Sequence, residues 1–266
     1  MRLGKKATAK QDVAYHSTNL RADGTMNTKK DVYKDTGINT GWKERSRRMT
    51  YSEIRKNEEV LAFIKKGNAN LGAMGFTDHS EAHSGLVAER AAEILKKFGY
   101  PEKDIELVKI AGFMHDIGNA VNRSHHAEYG ALLANDILKK TDLPLEDRVQ
   151  IVSAIGLHDE STGGATDPIS AALIIADKTD VRRSRVREKN KATFDKHDRV
   201  NYAVTDTKLK INVEKRVISL NLQIDPKICS MYEYFEIFLG RMMMCKRAAE
   251  VLEASFKLTV NGSKVL

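Results

Sequence analysis

The sequence is poor in cysteine and has no long apolar run, and each shortage excludes a class of protein. Its two cysteines, Cys229 and Cys245, fall in one predicted helix, which indicates reduced thiols and not a disulfide framework. No apolar run approaches the roughly 20 residues of a membrane span, and the amino terminus lacks the apolar segment of a secretory signal. These absences predict a cytoplasmic protein with no membrane partner.

Most of the chain also lacks an excess of charge of either sign. The net charge is +8, but residues 1–50 hold 12 Lys and Arg against 5 Asp and Glu, so residues 51–266 are almost neutral. Residues 1–48 show no sustained apolar periodicity, and we predict a basic, flexible extension there. Nucleic acid is not favoured as a partner, because the body of the protein has no basic excess.

Helical periodicity dominates the chain after this extension. With 41% hydrophobic residues, a chain of 266 residues can build a well-buried core. Apolar residues recur at helical spacing, and residues 171–176 are apolar almost all round, which indicates a central helix. We predict a mainly α fold, in which a helical domain occupies residues 49–195.

A small α+β domain is predicted over residues 196–266, where the apolar period changes to two. Three short strands are expected in a meander between residues 202 and 224, with turns at residues 206–208 and 214–216. A long helix from about residue 226 to residue 254 and a terminal hairpin follow. Nothing in this domain looks catalytic.

Histidine and aspartate residues lie at or near the ends of separate predicted helices. His115 and Asp116 are adjacent at the foot of an apolar helix, directly before Ile117 and Gly118. Asp177 follows the predicted central helix, where a carboxylate is costly unless it is paired or bound to a metal. Helical bundles build interior metal sites from side chains placed in this way. The candidate ligands are His83, His115, Asp116, His126, His158 and Asp177.

Two basic residues follow the last candidate ligand closely. Lys178 and Arg182 are one and five residues beyond Asp177, and we predict that they contact a phosphate. Arg presents a planar fork that suits phosphate oxygens, whereas Lys presents a mobile point charge. Arg185 and Arg187 are predicted to lie on a solvated face. His79 and His125 are ambiguous, since each could support a ligand, replace one or face solvent.

The order of these ligands resembles the H…HD…D signature of the HD-domain metal-dependent phosphohydrolase superfamily. The resemblance covers roughly residues 50–190 and rests on His83, His115, Asp116 and Asp177. It implies an all-α fold around the metal ions. Residues 163–168 read Gly-Gly-Ala-Thr-Asp-Pro where HD-GYP proteins have a Gly-Tyr-Pro segment, so cyclic di-GMP phosphodiesterase activity is not supported.

Further histidines resemble the additional ligands of the binuclear branches of this superfamily. His126 precedes Gly130 by four residues, and His158 precedes Asp159 and Glu160. The resemblance implies two divalent transition-metal ions, and imidazole and carboxylate ligands suit Fe, Mn, Zn, Co or Ni. In this arrangement Asp116 bridges the ions. His83, His115 and Asp177 complete one site, and His126 and His158 complete the other.

The expected chemistry is attack of a metal-activated water on phosphorus. Asp116, Asp159 or Glu160 could take the proton, while Lys178 or Arg182 steadies the charge on the phosphoryl oxygens. The expected substrate is a nucleotide or another small phosphorylated compound. Two alternatives remain open: a di-iron oxygenase, which would consume O₂, and a non-catalytic module that binds metal and nucleotide as a signal. A homo-oligomer is also left open.

Overall fold

The computed structural model of the protein describes residues 49–187, 194 and 196–266.

Capping residues determine where several helices begin. Asp167 accepts hydrogen bonds from the backbone of Ile169 and Ser170, and Pro168 occupies the first helical position. The α-helices of the described residues are α1 (Tyr51–Ile54), α2 (Glu58–Ala73), α3 (Glu81–Lys97), α4 (Glu102–Met114), α5 (His126–Leu138), α6 (Leu145–Gly156), α7 (Pro168–Lys178), α8 (Lys196–Ala203) and α9 (Met231–Val251).

Helix α7 lies at the centre of the helical layer. Every residue from Ile169 to Ala176 is buried, and the helix packs against α3, α4, α6 and α9. The burial confirms the prediction of a central helix. It also places the carboxyl end of α7, with Asp177, inside the bundle.

Helices α3 and α4 cross closely because of a glycine. A Cβ atom at Gly112 would stand only 2.8 Å from the Cα atom of Ala88, so a larger residue would force the helices apart. The close approach brings His83 of α3 opposite His115, which caps α4, with ring centres 5.3 Å apart. The helix crossing therefore positions two of the predicted ligands.

A four-stranded sheet follows the helical layer in the order β1-β2-β3-β4. The strands are β1 (Val204–Asn212), β2 (Val217–Ile224), β3 (Ser255–Val260) and β4 (Ser263–Lys264). Strands β2 and β3 are parallel and are connected through α9, which packs on α7 and on β3. The mainly α fold with a small α+β segment at the carboxyl end is therefore confirmed.

The predicted turn at residues 206–208 is wrong. Strand β1 runs through it, because Thr207 pairs with Leu222 and Lys208 pairs with Asn221 on β2. The pairing of β1 with β2 is irregular only between Val204 and Asp206, where the register shifts as in a β-bulge. Two strands and not three therefore precede α9.

The predicted long helix begins later than expected. Ser230 and Glu233 form a capping box that starts α9 at Met231, so Cys229 lies before the helix and not on it. Cys229 and Cys245 are both buried and unpaired with any sulfur among the described residues.

The described residues form one compact unit, in which α9 packs directly on the central helix. A division between residues 195 and 196 stays a prediction. The predicted flexible extension over residues 1–48 lies outside the described residues. Within the described part of the chain, no helix is both long and apolar enough to cross a membrane.

Candidate metal centre

The structure brings the six predicted ligands together in the interior of the helical layer. They come from α3, the end of α4, the start of α5, the end of α6 and the last turn of α7. The four imidazoles and one carboxylate are buried, and the Asp177 side chain is only 13% exposed. The group consists of His83, His115, Asp116, His126, His158 and Asp177.

The carboxylate of Asp116 stands between two pairs of imidazoles. Its Oδ2 atom lies 3.1 Å from Nε2 of His115 and 3.7 Å from Nε2 of His83. Its Oδ1 atom lies 3.6 Å from Nε2 of His126 and 3.9 Å from Nε2 of His158. Each oxygen therefore faces a different pair of nitrogen donors.

Asp177 completes the first group of donors. Its Oδ1 atom lies 3.3 Å from Nε2 of His83 and 3.7 Å from Nε2 of His115. In the second group, the Nε2 atoms of His126 and His158 are 3.2 Å apart. Among the residues that the structure describes, two sets of donors could hold an ion, and within each set the donor atoms all lie within 4.8 Å of one another. The first set is His83, His115 and Asp177, and the second is His115, Asp116 and His158.

Backbone carbonyls orient three of the imidazoles. In each case the acceptor is three residues earlier in the chain, so the end of a helix or turn supplies it. Because a carbonyl only accepts, Nδ1 carries a proton and Nε2 is the nitrogen directed toward the centre. The Nδ1–O distances are 2.8 Å for His115 and Gly112, 3.2 Å for His126 and Arg123, and 2.6 Å for His158 and Ile155.

Asp180 orients the fourth imidazole. Its Oδ2 atom accepts a hydrogen bond from Nδ1 of His83 at 2.7 Å and another from Nη2 of Arg182 at 2.9 Å. Although burial opposes its charge, these donors and nearby Arg185 hold the pKa of Asp180 well below its usual value. Sequence reasoning missed this residue. The available signal was a carboxylate one helical turn beyond Asp177, close enough in the chain to face the same centre.

The donor set fits a divalent transition metal. The Nε2 atoms of His83 and His115 are buried and have no hydrogen-bond partner among the described residues, and such atoms are costly unless a ligand satisfies them. Burial, with neighbouring His115, His126 and Lys178, lowers the pKa of His158 to about 3, so this imidazole is neutral and able to coordinate. Imidazole and carboxylate donors of this kind bind Fe, Mn, Zn, Co or Ni.

A short 3₁₀ turn carries Asp116 to the start of α5. The turn spans Ile117–Ala120, and Asn119 donates a hydrogen bond of 2.8 Å to Oδ1 of Asp116. Gly118 packs directly on the backbone of α5, since a Cβ atom there would overlap the carbonyl oxygen of His126. The glycine therefore lets Asp116 and His126 share one centre.

A cavity of about 220 Å³ opens beside the candidate ligands Asp116, His126 and Asp177. Its wall carries four basic side chains and two phenylalanines, together with the carboxylates of Asp116, Glu160, Asp177 and Asp198, so the lining offers both cationic groups for an anion and carboxylates for a metal. The basic residues and phenylalanines are Phe76, Arg123, Lys178, Arg185, Phe238 and Arg241.

Lys178 reaches this cavity but Arg182 does not. The Nζ atom of Lys178 lies 2.8 Å from both Asp177 Oδ2 and Glu160 Oε2. Arg182 pairs with Asp180 and lies in the wall of a different surface depression. Its place beside Asp180 indicates that it orients the carboxylate behind His83.

Three arginines that sequence reasoning did not assign to the site line the cavity. Arg185, expected on a solvated face, is buried and donates hydrogen bonds of 2.9 Å to the carbonyl oxygens of Asp78 and Asp180. That expectation is wrong, because the 3₁₀ turn at Arg183–Arg185 directs this side chain inward. Arg123 lies only three residues before His126, so its closeness to a candidate ligand was an available signal, whereas Arg241 comes from α9, which is distant in sequence.

The two ambiguous histidines occupy different surroundings. His79 lines the cavity, where its Nδ1 atom lies 2.7 Å from the carbonyl oxygen of Thr77. Burial, with nearby Arg185, holds the pKa of His79 well below its usual value. His125 has an exposed side chain in a left-handed backbone conformation at the start of α5 and lies beside Glu128. Its position excludes a ligand role in this arrangement.

Part of the chain matches a known protein family. Residues 81–184 match the HD domain family, and this range contains all six candidate ligands. An uncharacterized protein of Methanocaldococcus jannaschii is 31% identical over an alignment of 163 positions, which covers 53% of this chain and 62% of that protein. The chain thus spans less than two thirds of this relative. A crystal structure of a predicted HD superfamily hydrolase from an uncultured Thermotogales bacterium matches with 22% identity and a TM-score of 0.38, covering 50% of this chain and 75% of that one.

Proposed function

We propose that the chain is a metal-dependent phosphohydrolase, because residues 81–184 match the HD domain family. Its substrate would be a nucleotide or another small phosphorylated compound, hydrolysed at an ester or anhydride bond. The observation that carries the proposal is the position of Asp116, whose two carboxylate oxygens face separate pairs of imidazoles beside a cavity that four basic side chains help to line.

The ligand assignment follows from the two faces of Asp116. His83, His115 and Asp177 would hold one ion with Oδ2, and His126 and His158 would hold a second with Oδ1. A bound divalent transition metal supplies Lewis acidity toward phosphoryl oxygens and lowers the pKa of water toward neutrality. Hydrolysis at neutral pH therefore requires no strongly basic side chain.

Three carboxylates near the centre differ in how well they can receive a proton. Both oxygens of Glu160 are occupied, one by Lys178 at 2.8 Å and the other by Arg241 at 3.0 Å. Although burial opposes its charge, these two cations hold the pKa of Glu160 well below its usual value, so it is a poor base. Asp159 lies 3.6 Å from Nδ1 of His126, and Asp116 lies in the cavity wall itself. Although burial opposes their charge, His115 and His79 hold the pKa of Asp116 below its usual value and Ser161 does the same for Asp159, so position and not basicity favours these two carboxylates for moving a proton.

Arg123 is well placed to bind phosphoryl oxygens. Its Nη1 atom lies 3.4 Å from both Asn119 Oδ1 and His126 Nε2, and no carboxylate among the described residues pairs with it. A guanidinium without a carboxylate partner beside the ligands can offer its fork to an anion. Lys178 already contacts Asp177 and Glu160, so it positions these carboxylates and adds positive charge to the wall.

The proposal can be tested by measuring phosphate release from a panel of nucleotides and sugar phosphates by metal-loaded protein. Asp116→Asn should lower the rate on the order of 100-fold or more, because it removes the charge shared by both groups of donors. Asp136→Asn is the matched control, since Asp136 is exposed on α5 and should leave the rate unchanged. A metal-loaded parent that releases no phosphate from any compound, or an Asp116→Asn protein with the parental rate, would refute the proposal.

A further inference from the structure

The segment beyond the HD domain contributes to the wall of the cavity. Helix α9 lies outside residues 81–184, yet Phe238 and Arg241 of this helix line the cavity beside the candidate ligands. The contact exists because α9 packs along the central helix α7, which ends in Asp177 and Lys178. The carboxyl-terminal segment therefore takes part in forming the site.

Arg241 is held in one orientation by two contacts. Its Nε atom donates a hydrogen bond of 3.0 Å to Oε1 of Glu160, and its guanidinium carbon lies 4.9 Å from the ring centre of Phe238. No hydrogen-bond partner of Nη1 or Nη2 occurs among the residues the structure describes. Arg241 is thus oriented through Nε while its outer nitrogens stay available, and its side chain is 28% exposed.

Two charged side chains separate Arg241 from the candidate ligand Asp177. Lys178 contacts Asp177 and Glu160 at 2.8 Å, and Glu160 in turn contacts Arg241. The ammonium of Lys178 is therefore shared between two carboxylates, whereas Arg241 keeps donors for a further anion. Lys178 and Glu160 thus lie between Asp177 and Arg241. A phosphoryl group bound next to Asp177 therefore leaves the outer nitrogens of Arg241 free to contact a neighbouring group of the same substrate.

We propose that Arg241 binds a second anionic group of the substrate, next to the phosphoryl group at the ligands, so that the site prefers compounds with two adjacent phosphates. This inference rests on the proposed phosphohydrolase function. A planar fork with two outer nitrogens matches two oxygens of a phosphate. Arg123 serves the group at the ligands, and Arg241 serves the next one along the substrate.

The test compares the binding of two probes to metal-loaded protein by calorimetry. The probes are inorganic phosphate and methylenediphosphonate, whose P–C–P bridge resists hydrolysis. Arg241→Ala should weaken methylenediphosphonate binding about 10- to 100-fold, the loss typical of a hydrogen-bonded charge pair. It should change phosphate binding by less than about twofold, because one phosphate does not require the second contact. Arg241→Lys should fall between the parent and Arg241→Ala.

Arg247→Ala is the matched control, because Arg247 is exposed on the same helix and does not line the cavity. Its binding of both probes should equal that of the parent, and metal content measured after each titration should be the same in all variants. Equal weakening of both probes by Arg241→Ala, no weakening relative to Arg247→Ala, or a parent that binds neither probe would overturn the inference. Arg241-dependent binding by a parent that hydrolyses nothing would reject the hydrolase proposal and retain the anion contact.

Discussion

The Nδ1 atom of His83 lies 2.7 Å from Oδ2 of Asp180, and neither side chain has any exposed surface. This hydrogen bond directs Nε2 of the imidazole toward Asp116 and Asp177. Arg182 holds the same carboxylate from the other side. The orientation of His83 therefore depends on Asp180 and Arg182, and the contact that Asp180 makes is to Nδ1, not to the Nε2 atom that faces the metal centre.

Removal of this partner should weaken metal binding. Asp180→Ala leaves the Nδ1 atom of His83 without its acceptor, and losses of such partners typically cost about 10- to 100-fold in metal affinity. Chelator competition on purified protein measures the effect, with Asp136→Ala on the exposed face of α5 as the control. Equal affinities for Asp180→Ala and the control would show that the hydrogen bond does not position His83.

The two adjacent histidines at the start of α5 should respond differently to the same substitution. His126→Asn removes a donor that faces Oδ1 of Asp116, so the metal content should fall from two ions per chain to about one. His125→Asn is the control, because His125 is exposed and asparagine tolerates its left-handed backbone conformation. Two ions retained after His126→Asn would contradict the assignment of the second group.

Gly118 should be intolerant of even one additional carbon. A Cβ atom at this position overlaps the His126 carbonyl oxygen, so Gly118→Ala should lower the free energy of unfolding by about 1–3 kcal/mol or more. Gly85→Ala in α3 is the control, since no atom lies within 4 Å of its Cβ position and alanine favours a helix. Chemical denaturation measures both. A Gly118→Ala protein as stable as the control would contradict the close packing of the 3₁₀ turn on α5.

Metal binding should release a proton near neutral pH. Although burial opposes its charge, Asp116 and Asp177 raise the pKa of His115 to about 10, so this imidazole is protonated in the metal-free protein at pH 7. A metal ion must displace that proton to bind His115. The affinity of the protein for the metal ion should therefore fall about tenfold for each unit by which the pH decreases below about 10. Calorimetry in buffers of different ionisation enthalpy gives the number of protons released. No proton release and a constant affinity between pH 6 and 8 would contradict this protonation state.

Local patterns sufficed for much of the helical part. His83, His115 and Asp177 could be predicted because each lies near an end of a helix. The apolar spacing and the start and stop residues of such a helix can be recognised within a short stretch of sequence. The candidate ligands therefore followed from short-range information and from their resemblance to a known signature.

Long-range contacts account for what the sequence did not show. Arg241 reaches the cavity only because α9 folds back on α7, and no periodicity encodes that contact. Thr207 looked like part of a turn, but pairing with β2 satisfied its backbone and extended β1. Arg182 differs from these cases, because a local contact decides its position. It was predicted to contact a phosphate from its closeness in sequence to Asp177, whereas its hydrogen bond to Asp180 directs the side chain toward that carboxylate.

The central claim is that phosphate release depends on the metal held by these side chains. The most direct test strips the parent protein with a chelator, confirms the loss of metal by elemental analysis, and measures phosphate release before and after Mn²⁺, Fe²⁺, Co²⁺, Ni²⁺ or Zn²⁺ is restored. The account predicts an inactive stripped protein and recovery with at least one of these ions. Full activity in protein with no detectable metal would contradict it.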